Sequence, residues 1–239
     1  MDAKPFTKTP PGICVGLPFC GRPVAPEWAV SLAIQAYPLG SSVTIKSLRG
    51  MQVAEARNII AEAALAERAK YLWFIDDDTA PPAFAIKKLV YALEKNPDAA
   101  ICGGIYFTRD VIPEPCVFKE PGQGCFWNWH IDEVFECGGI GTGCMLIRTE
   151  IFSKLEKPWF KTIDECPIEK DPNGPWTVQE TDDLYFCEKV RAAGYKILAH
   201  GGVLPVHWDA ANGIPYTMPV DCYPAREHAK QNSKKDAAV

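Results

Sequence analysis

Tyr71-Leu72-Trp73-Phe74-Ile75 is an unbroken run of apolar and aromatic residues that stops abruptly at Asp76-Asp77-Asp78-Thr79. A run of this length with no polar interruption is the pattern of a strand buried on both faces, which implies a parallel sheet with helices on each side. The neighbouring segments agree. Ile13 to Leu17 is a short apolar run stopped by Pro18, and Ser42 to Leu48 alternates as a second strand ended by Arg49 and Gly50. Glu27 to Ala36 has helical composition, and Gln52 to Ala69 sets Val53, Ala56, Ile60, Ala63 and Ala64 at helical spacing. A further helix from Phe84 to Glu94 and a strand from Ala99 to Tyr106 follow. This alternation predicts an α/β fold: an open, mostly parallel sheet flanked by helices. Ligands of such sheets sit beyond the carboxyl ends of the strands, and Asp76 to Asp78 lie at one of those ends.

Beyond Tyr106 the pattern loosens. Thr108 to Glu136 lacks clean periodicity and carries the cluster Phe126-Trp127-Asn128-Trp129, as expected of a long functional loop or a small inserted subdomain. Gly138 to Gly143 gives a turn before the apolar segment Cys144 to Ile147. After the irregular stretch Lys157 to Val178, a helix is predicted from Thr181 to the stop signal Gly194, then a last strand from Tyr195 to Ala199. Residues 1–12 read as a flexible arm, 13–226 as one domain, and 227–239 as a disordered tail.

Composition removes several function classes. With 47% hydrophobic and 23% charged residues the chain can bury a substantial core, yet no run approaches the ~20 apolar residues of a membrane span. A net charge of -5 offers no global attraction to nucleic acid or an anionic membrane. The ten cysteines are scattered singly, without a CxxC pair or a secretory leader, so they read as reduced thiols of a soluble, cytoplasmic protein.

Three consecutive carboxylates raise one another's pKa unless a cation or hydrogen-bond donors compensate. Mg²⁺ and Mn²⁺ do so, binding one or two carboxylates together with substrate phosphates. Strand alternation predicts that Asp76 and Asp78 share one face while Asp77 points elsewhere; the bland alternative is an acidic cap on the helix that follows. A second acidic set, Glu180-Thr181-Asp182-Asp183, opens a helix. Thr181 suits an N-cap and the macrodipole favours acids there, but a carboxylate at this position can also accept a proton from an attacking hydroxyl. Only one of Asp182 and Asp183 can face a substrate directly. His207, flanked by apolar residues, suits a metal ligand, with His200 and Asp209 as competitors. Arg57 either reaches a phosphate or pairs with a nearby acid. The glycines from Gly138 to Gly143 either let backbone approach a ligand or make a turn, and Trp127 and Trp129 either stack on a ligand or close a local core.

In order and spacing these pieces resemble the family 2-like glycosyltransferases with the GT-A, nucleotide-diphospho-sugar transferase fold, from Ile13 to about Asp209. Ala56-Arg57-Asn58, Phe74-Ile75-Asp76-Asp77-Asp78, Thr181-Asp182-Asp183 and Val206-His207 carry the resemblance. It departs in having Asp-Asp for the usual Glu-Asp pair, and Arg49 where relatives place an aspartate after the second strand. The resemblance implies transfer of a sugar from a nucleoside-diphosphate donor, a UDP-sugar first, to an acceptor hydroxyl. It implies Mn²⁺ or Mg²⁺ on Asp76, Asp78 and His207. Pro18, Arg49, Arg57, Asp76 and Asp77 line the donor site, with Asp183 as general base and Asp182 second. The acceptor is a glycan, protein, small molecule or modified DNA base. The rival readings are a nucleotidyltransferase releasing pyrophosphate and a non-catalytic carbohydrate-binding or virion-associated module.

Overall fold

The computed structural model describes residues 12–120, 123–165 and 177–219. The expected arm before Gly12, the tail from residue 227, and part of the irregular stretch between Lys157 and Val178 lie outside the described residues.

The first half runs β1 (Ile13–Phe19), α1 (Pro26–Ala33), β2 (Val43–Arg49), α2 (Val53–Ala66), β3 (Tyr71–Ile75), β4 (Thr79–Ala80), α3 (Ala85–Lys95) and β5 (Ala99–Gly104). The short β6 (Val117–Phe118), β7 (Val134–Cys137), β8 (Gly139–Ile140) and β9 (Cys144–Arg148) follow. Beyond them come β10 (Ile163–Glu165), β11 (Thr177–Glu180), α4 (Asp182–Ala192), β12 (Lys196–His200), β13 (Val206–Asp209) and β14 (Ile214–Tyr216). Seven strands form the central sheet in the order β2-β1-β3-β9-β5-β12-β7. Five run one way, and β9 and β7 run against them.

Alternation along β3 divides the core. Tyr71, Trp73 and Ile75 pack in one cluster with Trp28 of α1 and Ile86, Leu89 and Leu93 of α3. Leu72 and Phe74 face the other, with Ile60 of α2 and Phe186 of α4. On that second face Phe160 meets Phe74 edge-on at 5.5 Å and Phe186 at 4.5 Å, binding the sheet, α4 and the loop after β9 into one aromatic layer. Helix α2 lies close to β1 because Gly16 has no side chain: a Cβ there would come within 2.8 Å of Ile60 and 2.9 Å of Phe74.

The structure corrects or adds to the sequence expectation in four places. Pro18 does not stop β1; it continues to Phe19, paired with β2. The ladder to β3 has already ended at Gly16 and Phe74, so the missing proline N–H leaves no bond unmade on that side. The apolar segment at Cys144 forms β9, whose direction the sequence left open. It enters between β3 and β5 antiparallel to both, since apolar content reports burial and not direction. The region Thr108 to Glu136 is not wholly irregular, because its end opens β7, which closes the sheet against β12. Lastly, β4 forms a small sheet with β13 and β14, pairing Thr79 with His207 and Ala80 with Val206. Of the ten cysteines, the eight within the described residues are free thiols. No helix among the described residues is long and apolar enough to cross a membrane.

Candidate active site

The acidic run after β3 is not an extension of the strand. The Thr79 N–H donates to the Asp76 carbonyl at 3.1 Å, closing a turn, and the Trp28 indole N–H donates to the same carbonyl at 2.7 Å. Strand alternation therefore lapses at Ile75, and the expected grouping of Asp76 with Asp78 does not occur. Asp77, 1% exposed, turns back to the end of β1, accepting from the Cys20 N–H at 2.8 Å and Arg22 Nε at 2.9 Å. The same guanidinium reaches Asp78 Oδ2 at 2.9 Å, and Arg109 approaches that oxygen at 3.4 Å. Asp76 instead takes Arg57 at 2.7 Å.

Long-range pairing brings His207 to the run. Register between β4 and β13 sets His207 across from Thr79, and the Trp208 N–H donates to the Asp78 carbonyl at 2.7 Å. His207 Nε2 then lies 3.1 Å from Asp78 Oδ2, while Nδ1 lies 2.8 Å from the Phe107 carbonyl oxygen. A carbonyl only accepts, so Nδ1 carries a proton, and Nε2 is the ring nitrogen that faces the Asp78 carboxylate. That contact is attractive only when a proton or another cation lies between the two atoms. Burial works to raise the pKa of Asp78, but bonding to His207 and the charges of His207, Arg22 and Arg109 outweigh it and hold the carboxyl below its ordinary range.

The second acidic set lies across a cleft of about 230 Å³ at the carboxyl ends of β1 and β3. Pro18, Arg57, Asp76, Asp77, Asp182 and Asp183 all line it. Arg57, 3% exposed, spans the cleft floor from Asp76 to Asp182, which it meets at 2.5 Å. Burial disfavours its charge, but Asp76 and Asp182 more than restore it and raise its pKa. Asp182 is thus committed to Arg57. Asp183 is the acid left to face the cleft: its Oδ1 accepts the Thr181 hydroxyl and, at 2.9 Å, the Leu184 N–H. Burial raises its pKa, only partly countered by Thr181 and Arg57. Thr181 does hold the N-cap position, yet its hydroxyl serves Asp183 and no backbone N–H.

The Ala56-Arg57-Asn58 segment acquires a local explanation. Ala56 packs inward, Arg57 joins the two acidic sets, and Asn58 clamps the loop after β9. Its Oδ1 accepts from the Trp159 and Phe160 N–H groups, and its Nδ2 donates to the Phe160 carbonyl at 2.7 Å.

Several predicted residues fall elsewhere. Arg49 is exposed at the end of edge strand β2, opposite Phe19, and does not line the cleft. The glycine turn makes room for the chain's own Tyr106, since a Cβ on Gly141 would meet the Tyr106 hydroxyl at 2.1 Å, and Thr142 of the same turn lines the cleft. Trp129 is buried and stacks on Phe135, and Trp127 tilts against Phe107, so both close a local core. His200 is buried in β12, where its Nδ1 accepts the Gly202 N–H. Conversely, Arg22 and Arg109 were not singled out from sequence. They are isolated arginines in loops, and only the folded chain brings them to Asp78.

Among the described residues no three His, Cys, Asp or Glu side chains group closely enough to hold a metal ion. Asp78 and His207 form a pair, and Asp76 is not brought to them. Their 3.1 Å separation matches the roughly 3 Å between neighbouring ligands of a six-coordinate ion with ~2.1 Å bonds. The pair therefore fits a divalent cation whose other ligands are phosphate and water.

The family described as Glycosyl transferase family 2 matches residues 29–127. The match places the chain's similarity to family 2 glycosyltransferases in its first half. It includes Arg49, Arg57 and Asp76 to Asp78, while Asp183 and His207 lie beyond it. The crystal structure of A197 from STIV is similar in fold, at 19% identity and a TM-score of 0.59, over 87% of this chain and 94% of that chain. No curated protein matches the sequence.

Proposed function

We propose that this glycosyltransferase moves a sugar from a nucleoside-diphosphate sugar, a UDP-sugar in the first instance, to an acceptor hydroxyl with the help of Mn²⁺ or Mg²⁺. The observation that supports the metal reading is the pinned imidazole: Nδ1 is bound to the Phe107 carbonyl, which leaves Nε2 3.1 Å from Asp78 Oδ2, the spacing of two neighbouring ligands on one ion. Asp78 and His207 would hold the ion, which when bound supplies Lewis-acid stabilisation of charge on the departing diphosphate. Asp76 acts through Arg57, keeping the guanidinium fixed on the floor of the cleft.

The residues 13–226 serve as one catalytic unit in this reading, and the free thiols support a reducing, cytoplasmic setting. In the transfer, Asp183 accepts the acceptor's hydroxyl proton, the freed oxygen bonds to the anomeric carbon, and the bond to the diphosphate breaks through an oxocarbenium-like state. The raised pKa of Asp183 suits proton acceptance, because a more basic carboxylate has a greater drive to take the proton. Asp182 is the weaker candidate because it is held by Arg57. If configuration is retained, Asp183 orients the acceptor in place of removing its proton.

The test is a screen of nucleotide sugars with Mn²⁺, scored by donor hydrolysis, with Asp78→Asn as control. Release of a nucleoside diphosphate, lost in the variant, is the expected result. In a parallel arm supplied with nucleoside triphosphates and a sugar phosphate, release of pyrophosphate would indicate nucleotidyl transfer, and undiminished hydrolysis in Asp78→Asn would overturn the site assignment.

A further inference from the structure

Asp77 and Asp78 are nearly inaccessible, and the cations that neutralise them are not. Arg22 and Arg109 keep about a third of their side-chain surface exposed, against 1% and 5% for the two acids. Both guanidiniums reach Asp78 from loops, Arg22 after β1 and Arg109 after β5, whereas Arg57 is sealed within α2. Arg22 also lines the cleft and spans from it to the Asp78–His207 pair. The two acids and two arginines sum to zero charge. If Asp78 passes to a divalent cation, two positive charges enter, and the displaced guanidiniums stand beside a substrate group carrying about two negative charges. Guanidinium forks match phosphate oxygens in pairs, so the exchange leaves no charge uncompensated.

We infer that Arg22 and Arg109 are exchangeable counter-ions of the donor site, neutralising Asp77 and Asp78 as seen here and turning onto the donor's diphosphate when Asp78 takes the cation. The inference rests on the proposed metal site. Its consequence is opposite in sign for the two ligands of one site. Each arginine opposes the cation, because it competes for Asp78 and repels a second positive charge, and each favours the diphosphate. The protein accordingly binds cation weakly alone and more tightly with the nucleotide.

The experiment uses the full chain and two separate measurements. Mn²⁺ alone is titrated by the loss of its free electron paramagnetic resonance signal. Binding of UDP, GDP and ADP is followed by calorimetry at saturating Mn²⁺, the three probes sharing a diphosphate and differing in base. For Arg22→Met and Arg109→Met, Mn²⁺ affinity should rise on the order of tenfold, as expected for removing a unit charge some 5 Å from a divalent ion in a water-like medium, while diphosphate affinity falls by a similar factor. Arg22→Lys keeps the charge and should bind Mn²⁺ as the parent does. Affinities that fall together, or Mn²⁺ affinity that does not change, would overturn the exchange and leave the metal site standing. Mn²⁺ binding that persists in Asp78→Asn, or that is missing from the parent even with nucleotide, would remove the metal site and the exchange with it.

Discussion

The two acidic sets carry similar charge and are neutralised in opposite ways. Around Asp78 the cations come from outside the core: two arginines on loops, each about one third exposed, beside a histidine whose Nδ1 is bound to the Phe107 carbonyl. Around Asp182 the cation is Arg57, buried within the longest helix and shared with Asp76. The first arrangement can exchange partners with a substrate; the second cannot without unfolding its surroundings. The contrast separates a place where a charged ligand enters from a frame that holds the remaining acid, Asp183, toward the cleft.

The largest expected effect that sharpens this contrast is on turnover. Asp183→Asn should slow transfer by about 10²–10⁴-fold, the usual span for losing a general base, with Mn²⁺ binding unchanged. Asp78→Asn should lose turnover and Mn²⁺ binding together. If both variants lose Mn²⁺, the two sets are one metal site and the division is wrong.

Stability comes next. Arg57→Met strands two carboxylates in the cleft floor and should cost about 3–5 kcal/mol in urea unfolding, as for breaking a buried ion pair. Arg22→Met leaves Asp77 with the Cys20 N–H and Asp78 with Arg109 and His207, and should cost less, about 1–3 kcal/mol. Equal losses would mean that Arg22 is as structural as Arg57.

The smallest effect is on pH dependence. Burial raises the pKa of Asp183 in the folded protein, and the base must be deprotonated to work. The acid limb of kcat/KM should therefore lie above the ordinary carboxylate range near ~4, with activity lost as pH falls through it. For stability the sign reverses. A carboxyl whose folded pKa is raised favours the folded state while protonated, and that contribution fades as pH rises through the folded value. Asp183→Asn should thus unfold at a slightly higher temperature than the parent at neutral pH, measured by calorimetry. A lower unfolding temperature would show that its bonds to Thr181 and Leu184 outweigh burial.

The same contrast marks what the sequence made legible. Tyr71 to Ile75, α2 and the acids themselves were readable because each is a local pattern: an apolar run, a helical period, an abrupt change to charge. The direction of β9 was not, because a strand buried on both faces has the same composition whichever way it runs. Nor was the splitting of Asp76 from Asp78, which depends on a turn closed by Thr79 and secured by Trp28. His207 could be nominated from its position, but its meeting with Asp78 is made by the two-residue ladder between β4 and β13. Arg22 and Arg109 left no sequence trace, since their partners are 55 or more and about thirty residues away and no periodicity links them.

The most direct measurement is electron spin-echo spectroscopy of Mn²⁺ bound to the full chain with a nucleoside diphosphate. An imidazole nitrogen on the ion should modulate the echo, and the modulation should disappear in His207→Phe. Bound Mn²⁺ without nitrogen modulation in the parent, or modulation that survives the substitution, would contradict the claim that Asp78 and His207 grip the cation together.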